Sequence, residues 1–349
     1  MTKTKHPLVS IVLVTWNGEQ LLKTHFQSIV DINYPNKEII VVDNGSHDGS
    51  VQYLQKHYPE VKVIVNDINL GTAEGSNVAI PHCNGKYLFW ISNDMDFDSK
   101  ILMHMVREIE SDETIGVCTV KMRRLIDGKH TNTQDSVGSS VDIFGFPSAV
   151  GIEEEDNGQY DDIKEVFFAF GGALMIRTSL LDEGISYDPS FLTLTDDIDL
   201  CWRVRLRGFK VKVVPQALLY HRVSATLSKS HNRAEKRFIS ERNTMRTILK
   251  NYSLPWLLLI LPAFVMLMLA ESLFFLMLGK FRMAKSNMRA IGWNLVRLGD
   301  TLKLRREVQS SRKVADREIF WLMDKKSEKI RLFFDFLGHR KEPRWKNYF

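Results

Sequence analysis

The sequence predicts an α/β fold built on a mostly parallel sheet with helices on both faces. Three observations predict it. Short β-branched runs alternate with segments whose apolar residues recur at three- and four-residue steps. The runs are apolar at successive positions, as in strands covered on both faces. Each run also ends in a polar group: Thr15, Asp43, Asn66 and Asn69, then Asp94 and Asp96. Polar ends converging at the carboxyl edge of a parallel sheet form one crevice, where ligands of such sheets bind.

Residues 8–15 (Leu-Val-Ser-Ile-Val-Leu-Val-Thr) read as a central strand. Trp16-Asn17-Gly18 turns the chain, and residues 19–30 place Leu21, Leu22, Phe26, Ile29 and Val30 at helical spacing. Tyr34-Pro35-Asn36 breaks that helix. Residues 38–42 are a second strand, ending in Asp43-Asn-Gly-Ser-His-Asp-Gly-Ser50. Residues 51–57 read as helix, 61–65 as a third strand, and Asn69-Leu-Gly-Thr72 as a loop feeding another helix. After a turn at Gly85, Tyr87-Leu-Phe-Trp-Ile91 is a fourth strand, buried on both faces. Asp94, Asp96 and Asp98 follow at alternate positions.

Carboxylates that close repel unless a cation or hydrogen-bonding ligand lies between them. Oxygen ligands at a strand end suit Mg²⁺ or Mn²⁺, held partly by a substrate's phosphates. The competing reading is a solvated acidic turn; the position at the carboxyl end of a strand favours the ligand. Asp43 has an even alternative as part of a helix-capping turn. The first strand-helix junction, Thr15-Trp-Asn-Gly18, is neither G-x-G-x-x-G nor G-x-x-x-x-G-K-[ST], so dinucleotide-type and P-loop phosphate cradles are excluded.

With those motifs in place, residues 8–98 resemble the N-terminal half of the family 2 inverting glycosyltransferases, which have the GT-A fold. The resemblance rests on Val-Ser-Ile-Val-Leu-Val-Thr-Trp-Asn-Gly, Ile-Ile-Val-Val-Asp-Asn-Gly-Ser-His-Asp-Gly-Ser, Asn-Leu-Gly and Asn-Asp-Met-Asp. It implies that Thr15 and Asp43 contact the nucleoside of a sugar nucleotide and that Asn69 belongs to the same binding region. It further implies that Asp94 approaches the ribose and Asp96 ligates a divalent ion (Mg²⁺ or Mn²⁺) on the diphosphate. Glu74, in Gly71-Thr-Ala-Glu74-Gly-Ser-Asn77, departs from the small residue of many relatives.

Residues 99–120 read as helix then strand, the strand over 115–120. Residues 121–164 are turn-rich and polar, with the acidic run 153–156, and read as an irregular acceptor-side flap. Their Asp135-Ser-Val-Gly and Asp156-Asn-Gly-Gln-Tyr160 segments resemble an insertion in rhamnosyltransferase-like members. Residues 166–176 read as a strand region where backbone at Gly171-Gly172 approaches a ligand. Leu194-Thr-Asp-Asp-Ile-Asp-Leu-Cys-Trp-Arg203 begins a helix for which Thr195 is the expected N-cap. The resemblance makes Asp197 the catalytic base, with Asp196, commonly Glu in the family, sharing its role. A last strand over 211–214 leads through Pro215 to His221, matched to a histidine that reaches the metal or diphosphate; a histidine satisfied at a strand end is the equal alternative.

The 349 residues are 44% hydrophobic and 26% charged, ordinary for a globular protein. The net charge of +5 crowds into the C-terminal third, and no nucleic-acid partner is expected. Cys83, Cys118 and Cys201 lack metal-ligand spacing and read as reduced core thiols in a cytosolic setting. The N-terminus has no secretion-signal pattern. Residues 255–278 are nearly all apolar, long enough to cross a bilayer, but interrupted by Pro262, Glu271 and Ser272. Basic residues flank both ends, Lys229 among them, which favours a re-entrant hairpin or interfacial segment over a single span. Met288, Ile291, Leu295, Leu298 and Leu302 then suggest a basic amphipathic helix, for a membrane surface or for packing on the protein itself.

These readings divide the chain into a catalytic domain over 1–250, with a nucleotide-sugar half (1–120) and an acceptor half (121–250), and a membrane-associated helical region over 251–349. The expected activity is metal-dependent, inverting transfer from a nucleotide-diphospho sugar to a lipid-linked or surface-glycan acceptor at the cytoplasmic face of the cell membrane. A sugar nucleotidyltransferase, or an inactive membrane-tethered glycan-binding scaffold, are the rivals.

Overall fold

The computed structural model describes residues 6–162, 164–222 and 232–337, and among them is a ten-stranded mixed sheet. Residues 1–5, Lys229 and the basic tail 344–349 lie outside the described residues. Two structural units are present, one drawn from Met1–Ser139, Ala149–Val204 and Phe209–Ala225, the other from Ser140–Ser148, Arg205–Gly208 and Thr226–Phe349.

In the first unit β1 (Val9–Thr15), α1 (Glu19–Val30), β2 (Lys37–Asp43), α2 (Ser50–His57), β3 (Lys62–Val65), α3 (Gly71–Ala79) and β4 (Tyr87–Ile91) follow in the expected order. β4, β1, β2 and β3 are neighbours and parallel. Ile11, Val12, Leu13, Val41, Val42, Leu88 and Phe89 are all buried, because helices cover both faces. Each such side chain contributes about 1.5–3 kcal/mol by leaving water. Register follows from that burial: Thr15 lies beside Asp43, and Asp43 beside Val65, so the polar ends share one edge.

A short β5 (Met95–Phe97) and α4 (Ile101–Ser111) lead into β6 (Ile115–Ile126). Here the structure departs from the sequence reading. β6 runs past residue 120 and turns at Asp127-Gly128, both at positive φ, into β7 (Lys129–Ser136). A two-residue Asp-Gly loop with that geometry closes a hairpin. The strand was hidden by its polar residues, Thr131, Thr133 and Gln134. β8 (Ser139–Val141), β9 (Pro147–Ala149) and β10 (Lys164–Glu165) add further short strands. Buried Lys121 holds Asp156 at 3.0 Å and Asp161 at 2.6 Å, so much of the expected irregular flap is strand and ion pair.

β11 is Ala173–Arg177, shorter than the 166–176 region read as strand, and runs antiparallel between β4 and β6. After α5 (Thr178–Asp182) and α6 (Asp196–Leu206), β12 (Lys210–His221) extends well beyond residue 214. It crosses Pro215 because its pairing with β6 shifts between Val214 and Leu218, and a bulge tolerates the missing N–H. Cys118 and Cys201 are buried thiols and Cys83 is half-buried, none of them in a disulfide.

The described helices of the second unit include α7 (Arg233–Asn251), α8 (Leu254–Met277), α9 (Phe281–Val296), α10 (Leu298–Ser310) and α11 (Glu328–Leu337). A boundary at residue 250 would leave α7 with the sheet, yet its buried side chains bond to α9 and α10. Arg237 donates to Asn287 at 2.9 Å and Arg246 to Thr301 and Asp300, each at 2.7 Å. The apolar run is one uninterrupted helix, α8, which passes through Pro262 without the turn a hairpin needs. The single amphipathic helix expected over 288–302 is two, meeting at Arg297.

Along parts of these helices polarity is inverted, although Ile248, Phe264 and Phe275 are buried as in an ordinary core. Asn243, Asn251, Asn287, Asn294 and Thr301 are fully buried, while Leu258, Met266, Leu273, Leu295 and Val296 point outward, Val296 88% exposed. Glu271, the acidic residue of α8, faces inward to Arg237, Asn287 and Lys329; Lys329 also holds Glu241 at 2.5 Å. Leaving such buried charges without a partner is costly. Lys329→Met should lower stability by about 3 kcal/mol, read as an earlier midpoint of denaturant unfolding in detergent.

Candidate functional site

Two loops at the carboxyl edge of the sheet are laced together. The Asn17 N–H donates to Ser46 Oγ at 2.8 Å, His47 N–H to Asn17 Oδ1 at 2.8 Å, Gly18 N–H to Ser50 Oγ at 3.1 Å and Glu19 N–H to Asp48 Oδ2 at 3.1 Å. Gly18 is required there, since a Cβ would lie 2.2 Å from Thr15 Oγ1. Asp48, not Asp43, bonds the start of α2, through Ser50 N–H at 3.0 Å. Buried Asp43 accepts the Ser46 N–H at 2.8 Å on Oδ2 and leaves Oδ1 buried with no hydrogen bond. That orphaned acceptor is the kind a ligand donor completes.

Thr15 is buried and accepts from Asn93 Nδ2 at 3.0 Å, which ties the end of β1 to the residue before Asp94. Asn69 is exposed and accepts the Gly71 N–H at 2.8 Å, shaping its own turn. Asn66 and Asn44 bond each other at 2.9 Å beside β2.

Asp94 and Asp96 have different surroundings. Asp94 is buried, accepts Ser92 Oγ at 2.7 Å, and its Oδ2 faces His221 Nε2 at 3.7 Å. Burial alone would raise its pKa, but His221 and Ser92 outweigh burial and hold it low. His221 Nδ1 pairs with Asp135 Oδ2 at 2.8 Å. Burial opposes a charge on that ring; Asp135 and Asp94 overcome it and raise its pKa to about 9. Asp96 has both oxygens engaged, Oδ1 with His25 Nδ1 at 2.7 Å and Oδ2 with His130 Nε2 at 2.9 Å. Those two histidines outweigh burial and keep Asp96 ionised to low pH. His130 also stacks on Tyr220, with ring centres 3.8 Å apart. Asp98 is a turn residue that accepts the Lys100 N–H at 2.8 Å.

At the start of α6, Asp196 and Asp197 are both buried. Asp197 Oδ2 accepts the Gly171 N–H at 3.0 Å, and its Oδ1 accepts the Ile198 N–H at 2.8 Å. A Cβ on Gly171 would sit 3.3 Å from the Asp197 Cβ, so glycine permits the approach. Thr195 has φ +66, outside the extended region usual for a capping residue, and its carbonyl accepts the Asp199 N–H at 3.0 Å. Burial raises the Asp196 pKa to about 7, helped by the Asp197 charge, and burial raises that of Asp197 to about 6 against its backbone hydrogen bonds. Asp199 pairs with Arg203 at 2.9 Å, one turn along the helix.

His25 and His130 were not legible as site residues, and Asn93 and Asp135 were noted only within longer segments. The one available signal was a histidine on the buried face of α1, beside Leu22, Phe26 and Ile29. Among the described residues no group of three or more His, Cys, Asp or Glu side chains is arranged to hold a metal by itself.

The sheet is that of glycosyltransferases of the GT-A type. The chain belongs to glycosyl transferase family 2, whose model matches residues 10–184; that of glycosyl transferase family group 2 matches 155–284. Membership sets the nucleotidyltransferase reading aside. The chain is 22% identical over 232 residues to a poly-beta-1,6-N-acetyl-D-glucosamine synthase of Staphylococcus epidermidis, covering 65% of this chain and 53% of that one. It is 21% identical over 224 residues to the synthase of the same name from Staphylococcus aureus strain COL, covering 63% and 51%. The chain thus spans about half the length of the curated relatives it matches. Among solved structures, GalNAc-T7 with UDP, GalNAc and Mn²⁺ aligns with TM-score 0.58 at 15% identity, over 73% of this chain and 49% of that one. S. aureus TarS 1–349 aligns with TM-score 0.51 at 14% identity, over 97% and 88%. The mannosyltransferase PcManGT of Pyrobaculum calidifontis, with GDP-Man and Mn²⁺, aligns with TM-score 0.51 at 16% identity, over 93% and 89%. At these identities the likeness concerns the fold.

The acidic pair sets a pH dependence. Between about pH 4, the ordinary carboxylate range, and about pH 7 the folded state binds more protons than the unfolded one, so stability falls as pH rises through that window. Asp196→Asn should therefore be more stable than the unsubstituted chain at pH 8, with the gap closing below about pH 4. Thermal unfolding across pH reads this directly.

Proposed function

We propose that this chain transfers a sugar from a nucleotide-diphospho sugar to an acceptor hydroxyl with inversion, in one in-line displacement. The observation that carries the reading is the buried Asp197 carboxylate, oriented by the Gly171 N–H, in a fold whose sheet edge holds the orphaned Asp43 oxygen and the Asp94–His221 pair. Thr15 and Asp43 would take the nucleoside; Asn69 holds the adjoining turn. Asp197 accepts the hydroxyl proton while the acceptor oxygen bonds to the anomeric carbon and the bond to the diphosphate oxygen breaks. Burial and the Asp197 charge raise the titration of Asp196, which disfavours a second full charge beside the base.

The residues fit a divalent ion, with a change of ligand from the sequence reading. Asp96 has both oxygens committed to histidines, whereas Asp94 Oδ2 and His221 Nε2 face each other across 3.7 Å, a gap two ligands of one ion can span. Asp94 would hold it, with His221 joining once the ion displaces the proton that Asp135 and Asp94 keep on its ring, and the donor's phosphates would supply further oxygens. Bound there, Mg²⁺ or Mn²⁺ would offset the charge that builds on the leaving diphosphate. The Mn²⁺ and the UDP or GDP-Man named for the structural neighbours support a divalent ion and a nucleotide-bearing donor.

The acceptor is proposed to be lipid-linked or part of a growing surface glycan, supported by the polysaccharide synthases among the relatives. Membrane association is proposed for the second unit, at the cytoplasmic face. α8 is long and apolar enough to cross a bilayer, but one stripe of it (Leu257, Ile260, Phe264, Met268 and Phe275) is buried, and Glu271 faces inward. A helix with one face packed on protein and the other apolar and exposed suits immersion in the interface.

Two outcomes follow. Asp197→Asn should keep donor affinity and lose about a hundredfold to ten-thousandfold in turnover, and transfer by the unsubstituted enzyme should rise with pH through about 6. Near-normal transfer by that variant, with Asp196→Asn inactive, would move the base one residue back. Asp94→Asn should abolish Mn²⁺-dependent binding of nucleoside diphosphate in titration calorimetry, while Asp96→Asn should retain it. The reverse result would return the ligand to Asp96.

A further inference from the structure

One aromatic side chain at the carboxyl edge of the sheet has no part in the chemistry assigned above. Residues 166–170 run Val-Phe-Phe-Ala-Phe; Phe167 and Phe168 are buried, whereas Phe170 keeps 36% of its surface in solvent. A single exposed apolar side chain is ordinary. This one is set apart by what fixes it. Its carbonyl accepts the Ala173 N–H at 3.0 Å, closing a turn with Gly171 and Gly172 at the centre. The Gly171 N–H holds Asp197 at 3.0 Å, and the Gly172 carbonyl accepts the Ser92 N–H at 3.1 Å, two residues before Asp94. The phenyl ring folds back over that turn, since a Cβ on Gly172 would lie 2.9 Å from its Cε1 and 2.7 Å from Met95 Cε. Its centre is 5.9 Å from that of the His221 ring, with the planes tilted by 48°. The ring therefore stands beside both the glycine that orients the proposed base and the histidine next to the proposed ion.

The company of that ring says what it recognises. A phenyl face carries partial negative charge and attracts weakly positive C–H bonds. Close by are Asp197, reached through Gly171, and Asp94, reached through His221. An acyl or isoprenoid chain laid there would strip water from those acids and return no hydrogen bond. A pyranose ring meets both demands: its axial C–H bonds make one face apolar, and its rim carries hydroxyls from which carboxylates accept. We infer that Phe170 is a stacking platform for the acceptor, and that the attacked hydroxyl belongs to a sugar ring, whether or not a lipid anchors that sugar. Asp197 serves the acceptor side of the displacement, and Phe170 adjoins the glycine that holds it, which assigns the platform to the acceptor rather than to the donor. This rests on the transfer proposed above and names the acceptor class and the residue that selects it.

The test is saturation-transfer-difference NMR on the full chain in detergent with Mg²⁺ and whichever of UDP and GDP binds it more tightly. The acceptor probes are the methyl β-glycosides of glucose, N-acetylglucosamine and mannose. Saturation of the protein's aromatic protons should reach at least one glycoside, most strongly at the C–H protons of one ring face. Phe170→Leu, which stays apolar but lacks a ring face, should weaken that signal about fivefold, the scale of one lost stacking contact. Phe170→Tyr should retain it. Nucleotide affinity in titration calorimetry should be equal in all three proteins, which also certifies that the variants are folded. An unchanged glycoside signal in Phe170→Leu would overturn the platform, and so would equal losses in Phe170→Leu and Phe170→Tyr, which would mean disturbed packing rather than a missing ring face. A fall in nucleotide affinity with the glycoside signal intact would overturn the acceptor assignment in favour of the donor. Nucleotide binding without binding of any glycoside would overturn the sugar acceptor alone; failure of both nucleotides to bind would overturn the transfer reading with it.

Discussion

Carboxylates gathered at the edge of a buried sheet must each be compensated, and the architecture of the first unit follows from how that is done. Asp43 is held by the turn that follows it, with one acceptor left over. Asp94 and Asp96 are met by histidines delivered from three directions: β12, α1 and the β6–β7 hairpin. Among the described residues no cation pairs with Asp196 or Asp197, and burial raises the titration of both instead. Hydrogen bonding, ion pairing and protonation thus divide five acids into groups with different chemistry, although all five are the same residue type.

The β6–β7 hairpin gains its importance from the same requirement. His130 reaches Asp96, and Asp135 reaches His221, so one strand grips two of the acidic positions at once. Asp135 also selects which nitrogen of His221 remains for Asp94, the ordinary job of a carboxylate behind a histidine ligand. A segment that reads as a polar loop is therefore structurally continuous with the centre of the proposed chemistry.

What the sequence disclosed and what it hid have physical causes. β1 to β4 were legible because burial on both faces leaves uninterrupted apolar runs, whereas Asp197 was marked only by the family resemblance of its motif, since the residues alone read as an acidic helix start. β7 was hidden because Thr131, Thr133 and Gln134 alternate with other polar residues; the Asp127-Gly128 turn was the unread clue. Asp96 and Asp94 are two residues apart in an acidic stretch, and only the placement of His25, His130 and His221 tells them apart. In α9 and α10 the period of the apolar residues was visible, but a period carries no sign. Leu295 and Leu302 face outward and Asn294 and Thr301 inward, the reverse of a water-soluble helix.

That inversion reaches into how the molecule behaves at the bench. Val296, Leu258, Met266 and Met277 are among the more exposed apolar side chains of the chain, and in plain aqueous buffer they face a solvent that rejects them. Copies of the chain supply the nearest alternative cover, so its hydrodynamic size in the absence of amphiphile becomes a function of concentration and of the salt chosen. Sulfate, which strengthens apolar burial, drives the association further. An oligomer recovered under those conditions therefore reports the composition of the buffer, and stoichiometry acquires meaning once the outward leucines have been given something apolar to touch.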